Sequence, residues 1–599
     1  FAGYYKSQGV SISGGTIDAL LDIGLKDDTI SLHADTNANG LIFSKGDFQY
    51  ILNSAISLDF KYSLKDRQFT YSGNARLLQC GISGLASVGE IDKISGDVRF
   101  NNAGLSSDKI NAVISGIPLE AKASLSDFKN PLFNIDTSIL SLSVLQEALK
   151  DKFKIEIPAS IIGEGKLSLT IESRIPKHLP PLINCRLDVS RGKIALNKLK
   201  YSFEGLAGRF EFTADQLKWS GVNFNYQGIP YNTNGTLIDF KAPRIEFVLS
   251  SRGLSMESAL SLKGKLINIV KAKGRYLNSE FIFSGNLDIS NPGRLQADIS
   301  GKLNIDLKDT KEMFKKLQKQ IEQVDPKGAL AVSFNLDGDI NDFKSCAIQA
   351  NFSSPSVMAY GLKFQDLLLH YRQENALVEL PLIDLSLYDG KIEGSAAMNM
   401  STNRLPYQIS LSMGGVNIGK LKMDTPVKNK DIAGTMDVEV KLNGYSNDLS
   451  KLSGAGKILI SEGKLWELDL FKGMGKLIFA KEFSNIVFHE GSCGFVVQNK
   501  SIFTDNLKLK SNLVELDGTT SIGFDGSLDA TIKLHVLDNA IPLKETYKDV
   551  ITAIIGSVDA VGIININGTL KEPVYKFQPA VVDIINGLKD AIFDSILKK

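Results

Sequence analysis

The stretch Leu528-Asp529-Ala530-Thr531-Ile532-Lys533-Leu534-His535-Val536 decides the fold. Apolar and polar residues alternate through all nine positions. Side chains of a strand point alternately to its two faces, so this is a strand with one greasy face and one wet face. Leu528, Ile532, Leu534 and Val536 lie on the greasy side. His535 lies on the wet side and reads as a solvated side chain, not as a catalytic base.

The same grammar recurs along the chain. Leu167, Leu169 and Ile171 alternate with Ser168 and Thr170; Phe133 and Ile135 alternate with Asn134 and Asp136. Met436, Val438, Val440 and Leu442 alternate with Asp437, Glu439 and Lys441. A parallel sheet covered on both faces would be apolar throughout, so these strands belong to an antiparallel sheet with one solvated face. Asn443-Gly444, Asp517-Gly518 and Asp525-Gly526 read as hairpin turns between strands.

The chain has 599 residues, more than one compact core organises, which predicts several domains or one extended array. Its 68 basic and 67 acidic residues nearly cancel, whereas a nucleic-acid binder needs a basic face; no nucleic-acid partner is expected. The 52 glycines and 17 prolines suit many tight turns. Cys80, Cys185, Cys346 and Cys493 lie far apart without metal or redox spacing, and read as buried free thiols. No apolar run is long enough for a membrane-spanning helix. Phe1 starts in mid-pattern, so the chain reads as part of a longer one whose N-terminal signal or anchor would lie upstream.

Residues 1–60 read as strands and turns, with Asp35-Thr36-Asn37-Ala38-Asn39-Gly40 as a polar turn. A calcium loop is the weaker reading there, because Gly46 stands where the bidentate glutamate belongs. An internal repeat follows. Gly96-Asp97-Val98-Arg99-Phe100 matches Gly208-Arg209-Phe210-Glu211-Phe212, Gly116-Ile117-Pro118 matches Gly228-Ile229-Pro230, and Asp127-Phe128-Lys129 matches Asp239-Phe240-Lys241, each at an offset of 112. A fixed period suggests an array. The expected divisions are therefore 1–60, N-terminal strands; 61–270, two repeats; 271–450, further strands with a helical insert near 308–323; and 451–599, a C-terminal region. Helices are predicted at Leu142–Phe153, over Lys308–Gln323 with Met313, Phe314, Leu317 and Ile321 on one stripe, around residues 470–477, over Leu543–Ile555, and over Pro579–Leu597. The last either caps the sheet or lies on a membrane or partner.

No phosphate loop, dinucleotide fingerprint or nucleophile elbow is present. His33, His178, His370, His489 and His535 have no histidine or cysteine at metal spacing. No catalytic residue, metal or cofactor is assigned, and the chain is read as a non-enzyme.

Leu452-Ser453-Gly454-Ala455-Gly456, Glu462-Gly463-Lys464-Leu465-Trp466 and Asp505-Asn506-Leu507-Lys508-Leu509 together resemble the C-terminal region of AsmA-like proteins. Gly568-Thr569-Leu570-Lys571-Glu572-Pro573 is similar to the element that closes this region, and Tyr388-Asp389-Gly390-Lys391-Ile392-Glu393-Gly394 to one upstream of it. The resemblance is good over residues 385–580 and architectural before that. These motifs are turn glycines and strand apolars. The resemblance implies a mostly β fold: an elongated antiparallel sheet curled into a taco-like open groove with an apolar interior. It also implies phospholipid transport between the inner and outer membranes of a diderm bacterium, as in bridge-like lipid transfer proteins. A periplasmic location follows, with an inner-membrane anchor helix outside this chain. Implied partners are phospholipids and the two membranes or their proteins.

The residues themselves set the same problem. If roughly 30 strands stack about 4.8 Å apart, the sheet is about 140 Å long. Its greasy face must pack on itself or hold something greasy, since each buried CH₂ is worth roughly 0.8 kcal/mol. The candidate acyl-chain lining is Phe100, Phe133, Ile135, Leu167, Leu169, Ile171, Val438, Val440, Leu442, Leu528, Ile532, Leu534 and Val536, each of which also reads as ordinary sheet core. Two other functions fit the pattern: a periplasmic scaffold that helps assemble outer-membrane proteins, and a repetitive all-β surface protein.

Overall fold

In the computed structural model, strands take up 79% of the described residues. The described residues are 10–537 and 562–579, apart from 86–88, 115, 127–129, 154–158, 173–181, 197–200, 292, 447, 465–486 and 513. The helices expected around residues 470–477, over Leu543–Ile555 and over 580–597 lie outside the described residues. The chain divides into two units, Phe1–Arg275 and Tyr276–Lys599.

The first unit opens with four long strands, β1 (Val10–Lys26), β2 (Thr29–Lys45), β3 (Phe48–Ser63) and β4 (Gln68–Leu85). Shorter ones follow: β5 (Gly89–Asn101), β6 (Gly104–Ile114), β7 (Ile117–Ser126), β8 (Asn130–Thr137) and β9 (Leu140–Ser141). After helix α1 (Leu142–Phe153) come β10 (Ala159–Ile162), β11 (Glu164–Glu172), β12 (Leu182–Leu196), β13 (Tyr201–Phe212) and β14 (Gln216–Tyr226). β15 (Ile229–Ile238), β16 (Arg244–Ser251), β17 (Leu254–Lys263) and β18 (Leu266–Tyr276) complete the set. Each strand from β1 to β8 pairs antiparallel with the next. β8 then pairs with β11, and the meander resumes through β17. The short β9 and β10 extend β11 and β12 at one end, with α1 between them.

The residues Asp35–Gly40 are strand, where a polar turn was expected. They pair with β1 and β3, and the irregularity at Gly40 is a bulge with φ +59°. A bulge bends its strand and strengthens the twist, which suits a curled sheet. β5, β6 and β7 begin 112 residues before β13, β14 and β15. The glycines in register also match in backbone, Gly96 with Gly208 (φ +152° and +149°) and Gly116 with Gly228 (+80° and +78°).

The second unit carries β19 (Ser279–Asn291), β20 (Arg294–Asp306), β21 (Lys327–Asp339), β22 (Ala347–Ala359) and β23 (Leu362–Glu374). Next are β24 (Leu377–Leu387), β25 (Gly390–Asn399), β26 (Pro406–Asn417), β27 (Ala433–Tyr445) and β28 (Asp448–Lys464). β29 (Phe488–Gln498), β30 (Ser501–Ser511), β31 (Val514–Gly523), β32 (Ser527–Val536), β33 (Gly562–Thr569) and β34 (Pro573–Pro579) end it. Every strand pairs antiparallel with its successor, and the sheet does not close into a barrel.

Of the three hairpin signals in the sequence, Asp525-Gly526 is a turn. Asn443-Gly444 and Asp517-Gly518 lie inside β27 and β31. Several tight turns instead use Asn375-Ala376, Tyr388-Asp389 and Asn499-Lys500, both residues of each at positive φ. That mirror-type turn matches the right-handed twist of the flanking strands. The helical insert is real but broken. It runs as four short pieces, Leu307–Asp309, Thr310–Met313, Lys315–Leu317 and Gln318–Val324, because Phe314 leaves helical geometry (φ −119°, ψ 59°).

Candidate functional site

Residues directly opposite in paired strands share a face of the sheet. Cross-strand register therefore traces each face residue by residue. In the first unit Ile135 faces Leu169, then Cys185, Phe212, Leu217, Leu237, Ile245 and Leu260, across eight successive strands. All eight side chains are half-buried. Phe133 faces Ile171, and Leu167 faces Leu187, on the same side. Phe100 faces Leu105, which faces Leu125 on β7, in line with the Ala121 that faces Ile135. The six candidates of this unit thus line one face; Phe133 is exposed and the other five are half-buried.

The second unit repeats the arrangement. The row Phe281, Leu303, Val332, Phe352, Leu369, Ile383, Gly394, Leu411, Val440, Gly456 runs unbroken from β19 to β28. Val332 is buried and the rest are half-buried. Val438 and Leu442 flank Val440, opposite Met413 and Ile409 on β26. A further path, Ile460–Gly491–Leu509–Leu516–Leu534, connects this face to β32. All of the second unit's candidates with described side chains therefore share one face. For Val536 the backbone pairing with Val514 is described.

Small and large residues alternate across these rows. The Phe283, Gly301, Phe334, Ala350, Tyr371 series is one case. A methyl at Gly301 would come within 2.9 Å of the Phe334 ring, and one at Gly456 within 2.4 Å of the Phe495 ring. A methyl at Gly73 would come within 2.5 Å of the ring of Phe100. These glycines sit inside strands, so the glycines of Leu452–Gly456 are not turn residues. Each admits a ring from the neighbouring strand, and the ring covers backbone the glycine leaves bare. The rings thus fill the space that the glycines leave on the apolar face.

The opposite face is charged. Lys391 bridges Asp384 (3.2 Å) and Glu393, and Lys457 meets Glu439 at 2.8 Å. In the first unit Arg209 meets Asp188 at 2.7 Å, and Arg76 meets Asp97 at 2.9 Å. Exposed pairs of this kind contribute little stability. They keep this face wet and set which way the sheet turns its apolar side. His535 belongs here too; it is partly buried and hydrogen-bonds to Asp517 on the preceding strand, β31.

The apolar face is not uniform. Around β30–β33 it is withdrawn from water: Ile532 is 1% exposed, Leu534 2% and Ile564 0%, packed with Phe488, Val514, Leu516 and Ile566. Leu528 is buried with them. Over β19–β28 the same face is mixed: Ala297, Val332, Ile348, Ala350 and Leu387 are buried, whereas most of the row from Phe281 to Val440 stays half-exposed. The first unit has a smaller closed patch, where Leu142 at the start of α1 packs on Val189, Leu206 and Val222. Gln146 holds α1 there, its amide donating to the Ala159 carbonyl (2.6 Å) and accepting from the Ile161 N–H (3.0 Å).

One rim of the second unit is reinforced. The connector from β26 to β27 folds back beside the turns before β23 and β25. Its Asp424 accepts from the Tyr388 hydroxyl (2.8 Å) and meets Lys363 (3.2 Å); its Lys420 meets Asp389 (2.6 Å). The Tyr388 hydroxyl and the Lys363 ammonium hold the Asp424 carboxyl below the usual carboxylate range. Sequence reasoning missed this connector because its partners lie more than 30 residues away.

Of the cysteines, Cys80 and Cys346 are buried, Cys185 and Cys493 half-buried, and all are free. Among the described residues no cluster of histidine, cysteine and carboxylate side chains is arranged to hold a metal ion. No helix among them is long and apolar enough to cross a membrane.

The model of the AsmA family matches residues 241–481. The match takes in Tyr388–Gly394 and Leu452–Trp466. It begins well before residue 385 and ends before the Asp505–Leu509 and Gly568–Pro573 elements that also suggested the family. No curated protein matches the chain.

Proposed function

Starting from a chain that is AsmA-like, a family of the cell envelope, we propose that this protein carries phospholipid between the inner and outer membranes of a diderm bacterium. Acyl chains lie along the apolar face and headgroups stay at the rim, in water. The observation that carries the reading is the row from Phe281 to Val440: eight of nine successive strands present an apolar side chain on one face, the ninth presents Gly394, and all but Val332 remain half-exposed. A face that served only as core would be covered, as it is at Ile532 and Leu534.

An acyl chain suits such a surface. Its contacts are non-directional, so it can shift from strand to strand without breaking hydrogen bonds. Each methylene withdrawn from water is worth roughly 0.8 kcal/mol, so ten of them give about 8 kcal/mol, enough to hold a chain. The lipid gradient or partners at either end supply direction. The family is non-catalytic, and the sheet is read here as a conduit, not an active site.

The test is native lipid content. The protein is purified, detergent is removed, and bound phospholipid is counted by mass spectrometry for wild type and for Leu411→Asp/Val440→Asp. The expected result is several lipids per chain, lost in the variant with strand content unchanged. A well-folded, lipid-free wild type overturns the conduit and favours a scaffold.

A further inference from the structure

The insert between β20 and β21 is a long connection on its rim. Several neighbouring strands there are joined by two-residue turns such as Tyr360-Gly361 and Tyr388-Asp389, whereas this connection takes residues 307–326 and, like the β26–β27 connector, folds into short helical pieces. It is pinned at both ends. Asp309 is buried, and its carboxylate accepts from the Asn278 N–H (2.9 Å), the Asn278 side-chain amide (3.1 Å) and the Ser279 hydroxyl (2.7 Å). At the other end the Val324 carbonyl accepts from the Tyr360 N–H (2.6 Å). Met313 and Ile321 turn partly inward.

Between these anchors the insert presents Phe314, 54% exposed, and Leu317, 51% exposed. Lys311, Lys315, Lys316 and Lys319 lie within three residues of them in sequence; of the insert's acids Asp309 is buried and Asp325 is paired with Lys327 (2.7 Å), while Glu312 and Glu322 are exposed. Glu312 approaches Lys315 at 3.9 Å; among the described residues no carboxylate lies within ion-pair distance of Lys316 or Lys319. Two further large apolar side chains stand exposed on the same rim, Tyr360 (70%) and Met423 (60%). They lie close together along it, since Lys363, beside the Tyr360 turn, pairs with Asp424, next to Met423.

We propose that this rim docks on an anionic phospholipid surface, with Phe314 and Leu317 entering the interface and the lysines facing headgroup phosphates. Apolar tips inside a lysine cluster fit a surface that is greasy within and negative outside. An isolated apolar pair on a soluble rim needs no lysines around it. The anchoring at Asp309 and Val324 holds the pair out from the sheet, so docking needs no rearrangement of the groove.

Vesicle flotation tests this. Wild-type protein is mixed with phosphatidylcholine vesicles, or with vesicles containing phosphatidylglycerol as well. The expected result is binding to the anionic vesicles alone, weakened by salt. Phe314→Ser/Leu317→Ser abolishes it, and Lys316→Ala/Lys319→Ala weakens it about 25-fold, at roughly fivefold per lysine. Both variants should keep the wild-type circular dichroism spectrum. Leu411→Asp/Val440→Asp keeps vesicle binding, which separates this surface from the groove. Absence of wild-type binding, equal binding to both vesicles, or variants that bind like wild type overturns the proposal. So does capture of an acidic protein by this rim without vesicle binding.

Discussion

Val440 and Leu534 have the same chemistry, the same parity and the same face, and different surroundings. Leu534→Ala removes atoms from a packed site and is expected to cost about 2–5 kcal/mol, read from equilibrium urea unfolding. Val440→Ala should cost well under half as much, since its side chain is already half in water. A charge separates them further. Val440→Asp leaves strand content intact and removes lipid, whereas Leu534→Asp disrupts the fold around β32. Glycine behaves in the opposite sense. Gly456→Val pushes a side chain against the Phe495 ring and the Glu439 carbonyl and should destabilise by about 1–3 kcal/mol. At this scale the sequence shows which face a side chain takes, because strand parity is local. It does not show depth of burial, which depends on what comes to lie over each stretch.

Strand content was legible for the same reason, and several turns were not. Asn-Gly and Asp-Gly mark tight turns because both residues tolerate positive φ. Here Tyr388-Asp389 and Asn499-Lys500 take that geometry, while Gly444 and Gly518 lie inside strands; at Gly518 a methyl would sit 2.2 Å from the Thr531 carbonyl oxygen. Close backbone approach demands glycine at Gly518, and the Tyr407 ring takes the space beside Gly444; neither is a turn. The β26–β27 connector carries a pH prediction. The Asp424 carboxyl is held below its ordinary range, so its contribution to the connector is present above the ordinary carboxylate pKa and is lost as pH falls through the lowered value. Hydrogen-exchange protection in residues 418–432, after correction for the intrinsic pH dependence of amide exchange, should fall on acidification. Asp424→Asn should exchange faster at neutral pH and show no such step. An unchanged pH profile in that variant would assign the step to another group.

Each unit is a meander of antiparallel strands with one apolar and one charged face. That much followed from alternation, and residues 388–394 and 452–466, two of the elements that carried the resemblance, fall inside the stretch 241–481 matched by the AsmA family model. The registers that join Ile135 to Leu260 and Phe281 to Gly456 did not, because pairing depends on bulges and turns that no local pattern marks. A scaffold works with its groove filled, whereas a conduit does not. Lipid transfer between donor and acceptor vesicles should therefore collapse in Leu411→Asp/Val440→Asp while the protein stays folded.

The most direct measurement is photo-crosslinking to lipid from single positions on one strand. A photoreactive residue is placed at Val438, Val440 or Leu442, and separately at Glu439 or Lys441, and adducts are detected by mass spectrometry. The account predicts phospholipid adducts at the first three positions and none at the other two. Adducts at neither set, or equally at both, would contradict a lipid-lined face.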